Sequence, residues 1–192
     1  MNGQRREQGF TLIEALVTVS ILGVLLAVTA PSALDWIIMQ RVKAGAAEMV
    51  TDIRFARGEA IKRNVRVVVT FQSIAGNQSC YAVHTQYPTE PIPCLCSRGA
   101  GKSCDKSVDE FSDNLVELKT VSVPVSTSVD MGANRSIGFA PSTGIPEANA
   151  LAFRVDFDGH SSRQLRVVTN ATGRTLICAP SGSRIVGYPT CS

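Results

Sequence analysis

The chain is poor in several things at once. Aromatic residues make up 6% of its 192 residues, with a single tryptophan, and there are two histidines. So few rings argue against a platform that stacks on the bases of single-stranded nucleic acid. His84 and His160 stand alone, without a carboxylate partner at a useful spacing. No Ser/His/Asp order or carboxylate pair stands out, which argues against an enzyme. No internal repeat or long low-complexity tract is present, which excludes a repeat array. Charged residues are 18% of the chain and the net charge is +3, with a pI near 8.6, short of the basicity of a nucleic-acid-binding domain. No cysteine precedes Cys80, and no charge lies between Glu14 and Asp35.

That last gap is the most informative. Ala15 to Leu34 is an uncharged run of 20 residues, about the length a helix needs to cross the hydrocarbon of a bilayer. A polar leader, MNGQRREQ, precedes Gly9-Phe10-Thr11-Leu12-Ile13-Glu14. A signal peptide would also place Arg5 and Arg6 before an apolar run, but this run is long for one, and Thr29-Ala30-Pro31 is a poor cleavage site. A plain anchor accounts for the length and leaves Gly9-Phe10 and Glu14 unexplained. A carboxylate at the edge of lipid is costly and calls for a functional reason.

Beyond Asp35 the pattern stays helical. Val42, Ala46, Met49, Val50, Ile53, Ala56 and Ala60 recur at spacings of three and four, opposite Arg41, Lys43, Glu48, Arg54, Arg57, Lys62 and Arg63. This predicts one helix from Leu12 to Asn64, bent near Pro31, apolar all round in its first half and amphipathic in its second. Val65–Phe71 reads as a strand, with Ala75-Gly76-Asn77 as a turn and Cys80–Gln86 as its hairpin partner. Leu115–Val123, Ser136–Phe139, Ala150–Phe157, Gln164–Thr169 and Arg174–Ala179 are further strands, and Asn170-Ala171-Thr172-Gly173 is the turn of a last hairpin. The fold class expected is α+β, a long N-terminal helix laid on an antiparallel β-meander.

Six cysteines follow the apolar run, an even number that suits disulfides in an oxidising compartment. Local clustering favours Cys178–Cys191 plus two bridges among Cys80, Cys94, Cys96 and Cys104, whose pairing stays open. The segment Pro88–Asp113 is expected to be a disulfide-tied loop. Within it Gly99-Ala100-Gly101-Lys102-Ser103 imitates the end of a phosphate-binding loop, but Cys96 stands where the first glycine is needed. Zinc ligands come as two well-spaced pairs, a pattern that Cys94, Cys96, Cys104 and His84 do not make. Neither a metal nor a cofactor is expected.

Gly9-Phe10-Thr11-Leu12-Ile13-Glu14, with the apolar run and Pro31, resembles the processing motif of type IV pilins and type II secretion pseudopilins. Phe55-Ala56-Arg57-Gly58-Glu59-Ala60-Ile61-Lys62-Arg63-Asn64 before a valine-rich strand is similar to the GspH/FimT branch of minor pilins. So is the ending Gly173-Arg174, Cys178 and Gly187-Tyr188-Pro189-Thr190-Cys191. The resemblance implies cleavage after Gly9 by a membrane prepilin peptidase, N-methylation of the new first residue Phe10, and a role for Glu14 in assembly. It implies a leader over 1–9, a membrane and filament-core helix over 10–34 kinked at Pro31, and a periplasmic domain over 35–192. The chain would sit as a single-pass protein in the bacterial inner membrane and then enter a pilus with other pilins. The alternative is a GspH-like minor pseudopilin of a type II secretion system. DNA uptake is a further implied role, with Arg163, Arg166, Arg174 and Arg184 as contacts. Here the tail reads Gly173-Arg174-Thr175-Leu176, without the second arginine of the Gly-Arg-x-Arg signature carried by DNA-receptor members of this branch.

Overall fold

A computed structural model of the chain describes residues 10–74, 78–86, 94–104, 115–123, 128–130, 136–147, 153–159 and 162–191. Contacts divide the chain into two compact units, Met1–Ile37 and Ile38–Ser192. One helix, α1, spans Leu12–Arg63 and is shared between them. Pro31 lies within α1 and does not end it; side chains at 28–32 fall outside the described residues. What ends it is Asn64, whose φ of 52° is left-handed, a conformation asparagine tolerates at a helix C-terminus. Lys62 and Arg63 in the last turn complement the negative end of the helix dipole.

In the second unit α1 buries one stripe. Val42, Ala46, Met49, Ile53, Ala56 and Ala60 are all essentially inaccessible. Their alternating spacing of four and three keeps them on one face. Fully burying Val42, Met49 or Ile53 contributes about 1.5–3 kcal/mol each relative to exposure. The three alanines have no bulk to hold the backbone away, so the strands approach closely.

The stripe packs on two antiparallel sheets. The first has the order β3 (Glu117–Val123), β2 (Gln78–Thr85), β1 (Val67–Ile74), β5 (Ser136–Phe139). The second has the order β4 (Ser128–Asp130), β6 (Phe153–Asp158), β7 (Gln164–Thr169), β8 (Thr175–Cys178). Val67, Val69, Phe71, Tyr81, Val83, Ile137 and Phe139 from the first join Phe157, Leu165 and Val167 from the second in one core with α1.

The α+β class expected from sequence holds, a helix packed on antiparallel strands, with those strands divided between two sheets. β5 pairs with β1, Val67 opposite Phe139, so a strand distant in sequence is inserted beside the first. The reason lies in β1. Its residues Val67–Phe71 are buried without alternation, so it takes an interior position with a neighbour on each side. The far face of this sheet, with Cys80 and Ala82, is covered by a second apolar cluster of Cys94, Cys96, Cys104 and Leu115. β7 alternates, with Leu165, Val167 and Thr169 turned inward, as a strand covered on one face should.

Strand β4 was not anticipated, and other strand bounds differ from the expected ones by up to three residues. The turn at 75–77 and the parts 87–93 and 105–114 of the long loop lie outside the described residues.

Candidate functional site

The first site is the start of α1. Gly9 lies outside the described residues. Phe10 is 81% exposed, and the helix begins at Leu12. Thr11 caps it: its hydroxyl oxygen accepts the backbone N–H of Glu14 at 3.3 Å, and its carbonyl accepts that of Ala15 at 3.2 Å. Thr-x-x-Glu is the sequence signature of a capping box, a signal that sequence reasoning passed over. Glu14 therefore sits in the first turn, where the helix dipole favours a carboxylate.

Around it Leu12, Ile13, Leu16, Val17 and Val19 are all exposed, an apolar surface on every side. The hydroxyls in this stretch are satisfied within the helix. Thr18 donates to the Ala15 carbonyl at 2.9 Å and Ser20 to the Leu16 carbonyl at 2.8 Å. A helix whose polar groups are internally satisfied can enter an apolar medium at low cost. Among the described residues no helix is long and apolar enough to cross a membrane. Side chains at 28–32, within the uncharged run, fall outside the described residues.

The second feature is the covalent frame. Cys178 is bonded to Cys191, Cys80 to Cys96 and Cys94 to Cys104, so all six cysteines are paired. The first bridge fastens the tail onto β8, where Cys191 N–H donates to the Ala179 carbonyl at 3.0 Å and Ala179 N–H to that of Pro189 at 2.8 Å. The other two close the loop over the far face of the first sheet. Residues 99–103, the phosphate-loop mimic, are instead a carboxylate cradle. Gly101 and Ser103 N–H donate to Glu117 at 2.8 and 2.9 Å.

The four arginines expected to contact DNA are not equivalent. Arg163 is buried, 8% exposed. Arg166 is half-buried and donates through Nε and Nη2 to both oxygens of Asp156, at 2.5 and 2.8 Å, directly across the β6–β7 pair. The Asp156 hydrogen bond raises the Arg166 pKa above its ordinary value, and the ion pair occupies the guanidinium. Arg174 and Arg184 are exposed. The four therefore differ in setting: one is buried, one is held by Asp156 and two are exposed.

Arg174 follows a tight turn. The Asn170 carboxamide oxygen accepts from Thr172 N–H at 3.1 Å and Arg174 N–H at 2.8 Å, and Gly173 adopts φ 78°. The side chain of Arg57 on α1 lies against that turn, donating to the Gly173 carbonyl at 3.4 Å.

Two polar links missed in the sequence hold the helix and loops in place. Asp52, buried on the core side of α1, accepts from Tyr81 and Lys119. Arg66, just before β1, grips both oxygens of Glu147 and donates to Gln86 at 2.6 Å. Nothing short of the tertiary arrangement brings these distant residues together.

Comparison with known proteins adds the family. No curated protein matches the chain. Among solved structures, two crystal forms of the type IV minor pilin FimU of Pseudomonas aeruginosa (strain PAO1) are similar, each 10% identical. One covers 72% of this chain and 88% of FimU with a TM-score of 0.49, the other 70% and 90% with 0.47. Residues 4–30 match the prokaryotic N-terminal methylation motif. Residues 45–173, the amphipathic end of α1 and most of both sheets, match the model of type II transport protein GspH. With two thirds of its length accounted for in this way, the chain belongs to the GspH family of pilin-like proteins.

Proposed function

We propose that the chain is a minor type IV pilin. A prepilin peptidase cuts it after Gly9, and Phe10 becomes the methylated first residue. Segment 10–34, bent at Pro31, holds it as a single-pass protein in the bacterial inner membrane, with 35–192 in the periplasm. Assembly moves that segment from lipid into the core of a filament made with other pilins. There Glu14 meets the N-terminal amine of a neighbour, because a carboxylate in an apolar core must be neutralised or paired. The observation that carries this reading is a coincidence of three features. The methylation motif spans 4–30, Gly9-Phe10 and Glu14 fall inside it, and α1 begins two residues after Phe10.

A second reading, a minor pseudopilin of a type II secretion system, is supported by the description of the matched family as a type II transport protein. Both share the same N-terminal physics. Mass spectrometry of membrane-extracted protein tests what they share. A chain starting at methylated Phe10 is expected, and Gly9→Leu should retain the leader. An intact Met1 start in cells with active prepilin peptidase would refute both readings. A deletion strain separates them: loss of surface pili favours the first, and retention of exoproteins in the periplasm the second.

A further inference from the structure

Beside the β7–β8 turn lies a cleft of about 400 Å³, lined by Arg54, Arg57 and Ile61 of α1 and by Gly173, Arg174 and Thr175. It brings three guanidinium groups to one place, and among the described residues no acidic side chain lines it. Among the described residues none of the three is in an ion pair; the nearby carboxylate of Glu59 is taken by Lys62 and Arg63. Arg57 is the fixed member, because its guanidinium donates to the Gly173 carbonyl at 3.4 Å and lies close against that residue. A Cβ at that position would come within 3.3 Å of its Cζ and Nη1. Arg54 and Arg174 are exposed on the two sides. Ile61, 46% exposed, supplies an apolar wall.

Such a cleft asks for an anion joined to an apolar group. A guanidinium matches a carboxylate with two parallel hydrogen bonds. Nucleic acid offers a less suitable ligand. Its phosphates would need a longer row of free positive groups, and Arg163 and Arg166, further back along the chain towards the start of β7, do not extend one: the first is buried and the second is paired with Asp156. Its sugar-phosphate edge also leaves the Ile61 wall uncovered.

We infer that this cleft is a docking site for an acidic segment of a neighbouring protein, a carboxylate with an aliphatic side chain next to it. The carboxylate bridges Arg57 to Arg54 or Arg174, and the aliphatic group covers Ile61. The inference goes beyond the reading above and stands whether the neighbour belongs to a pilus or to a secretion apparatus.

The experiment titrates the full chain, in detergent micelles at low salt, with three probes. They are the peptide Leu-Glu-Leu-Asp with a free C-terminus, its amidated Leu-Gln-Leu-Asn counterpart, and a short DNA duplex. The acidic peptide should bind, and the neutral one should not. Arg54→Gln and Arg174→Gln, both at exposed positions, should each weaken binding about fivefold, as expected for an ion pair near the surface, without shifting the melting temperature. Raising the salt should weaken it further. Equal binding of both peptides, no binding of either, or binding indifferent to both substitutions would overturn the inference. So would duplex DNA binding that depends on Arg54 and Arg174 while the acidic peptide is ignored; that result would make the cleft a phosphate site.

Discussion

Lys119 on β3 places its ammonium 2.7 Å from Oδ1 of Asp52 on α1, and the same carboxylate accepts the Tyr81 hydroxyl at 2.7 Å. Asp52 is thus the point at which helix and first sheet are locked in register. Burial alone would lower the pKa of Lys119, but the carboxylates of Asp52 and Glu48 raise it. Burial and Asp52 both push the Tyr81 phenol up, so it stays a donor. Asp52→Ala strands the Tyr81 hydroxyl in the core and should cost about 2 kcal/mol. Lys119→Met should cost less, because its side chain is 38% exposed and partly screened. Urea unfolding followed by circular dichroism checks both; equal small losses would mean that Asp52 does not pin the helix.

Acid should loosen the first sheet through His84. Its Nδ1 lies 3.1 Å from the Thr85 carbonyl and must carry the proton there, so Nε2 accepts the Thr70 hydroxyl at 2.9 Å. Burial lowers its pKa from the ordinary 6.5, with the Thr85 bond opposing, Arg66 adding to the drop and Glu117 resisting it. The unfolded chain then binds more protons than the native one below that value. Stability rises with pH up to 6.5 and is lost as the pH falls from 6.5 towards the lowered native value. Melting temperatures across that interval should decline in the native chain and decline less in His84→Gln. A flat profile in both would show that His84 carries no such penalty.

Gly159, directly after β6, is held under the helix. A Cβ there would lie 2.7 Å from the Cγ2 atoms of both Ile38 and Val42. Gly159→Ala should therefore destabilise by about 1–3 kcal/mol, as overpacking does. Val42→Ala alongside it should recover part of the loss by making room. If the single substitution leaves the unfolding midpoint unchanged, the helix does not approach β6 this closely.

Non-reducing peptide mapping should return Cys178 linked to Cys191, Cys80 to Cys96 and Cys94 to Cys104. Replacing Cys178 and Cys191 by serine opens a loop whose closure is worth roughly 3 kcal/mol in the chain-entropy account. The expected result is a lower melting temperature with the sheet content retained. Free thiols at both positions in oxidised material would contradict the pairing.

Glu14→Val should reach the membrane as well as the native chain does, since removing a carboxylate makes entry into lipid easier. It should be missing from sheared filaments, or strongly reduced in them. Native-like incorporation would remove the assembly role given to Glu14.

The helix was legible because its signal is local: Val42 to Ala60 repeat every three or four residues, and every member of that stripe is buried. The last hairpin was legible for the same reason, with Asn170 and Gly173 supplying the turn. The division into two sheets was not, because β5 and β4 are strands of four and three residues whose partners lie far away in sequence. Pairing within the Cys80 to Cys104 group depended on the loop path, and four close cysteines look alike in sequence. Arg166 read in sequence as a possible DNA contact, yet Asp156 sits across from it through the β6–β7 register. Charge neutralisation of that kind belongs to the sheet and leaves no mark on either strand read alone.

All three disulfides join residues 10 to 16 positions apart, and none touches α1, which contains no cysteine. Tension applied along α1 therefore meets no covalent stop before it reaches the strands. The load passes sideways through the Val42–Ala60 stripe and the Asp52–Lys119 contact, in shear, where many weak contacts share it at once. Such a joint should yield by sliding of the helix out of its seat, with the bridged loops still intact. A reducing agent that opens those loops should leave the force at which it slides almost unaltered.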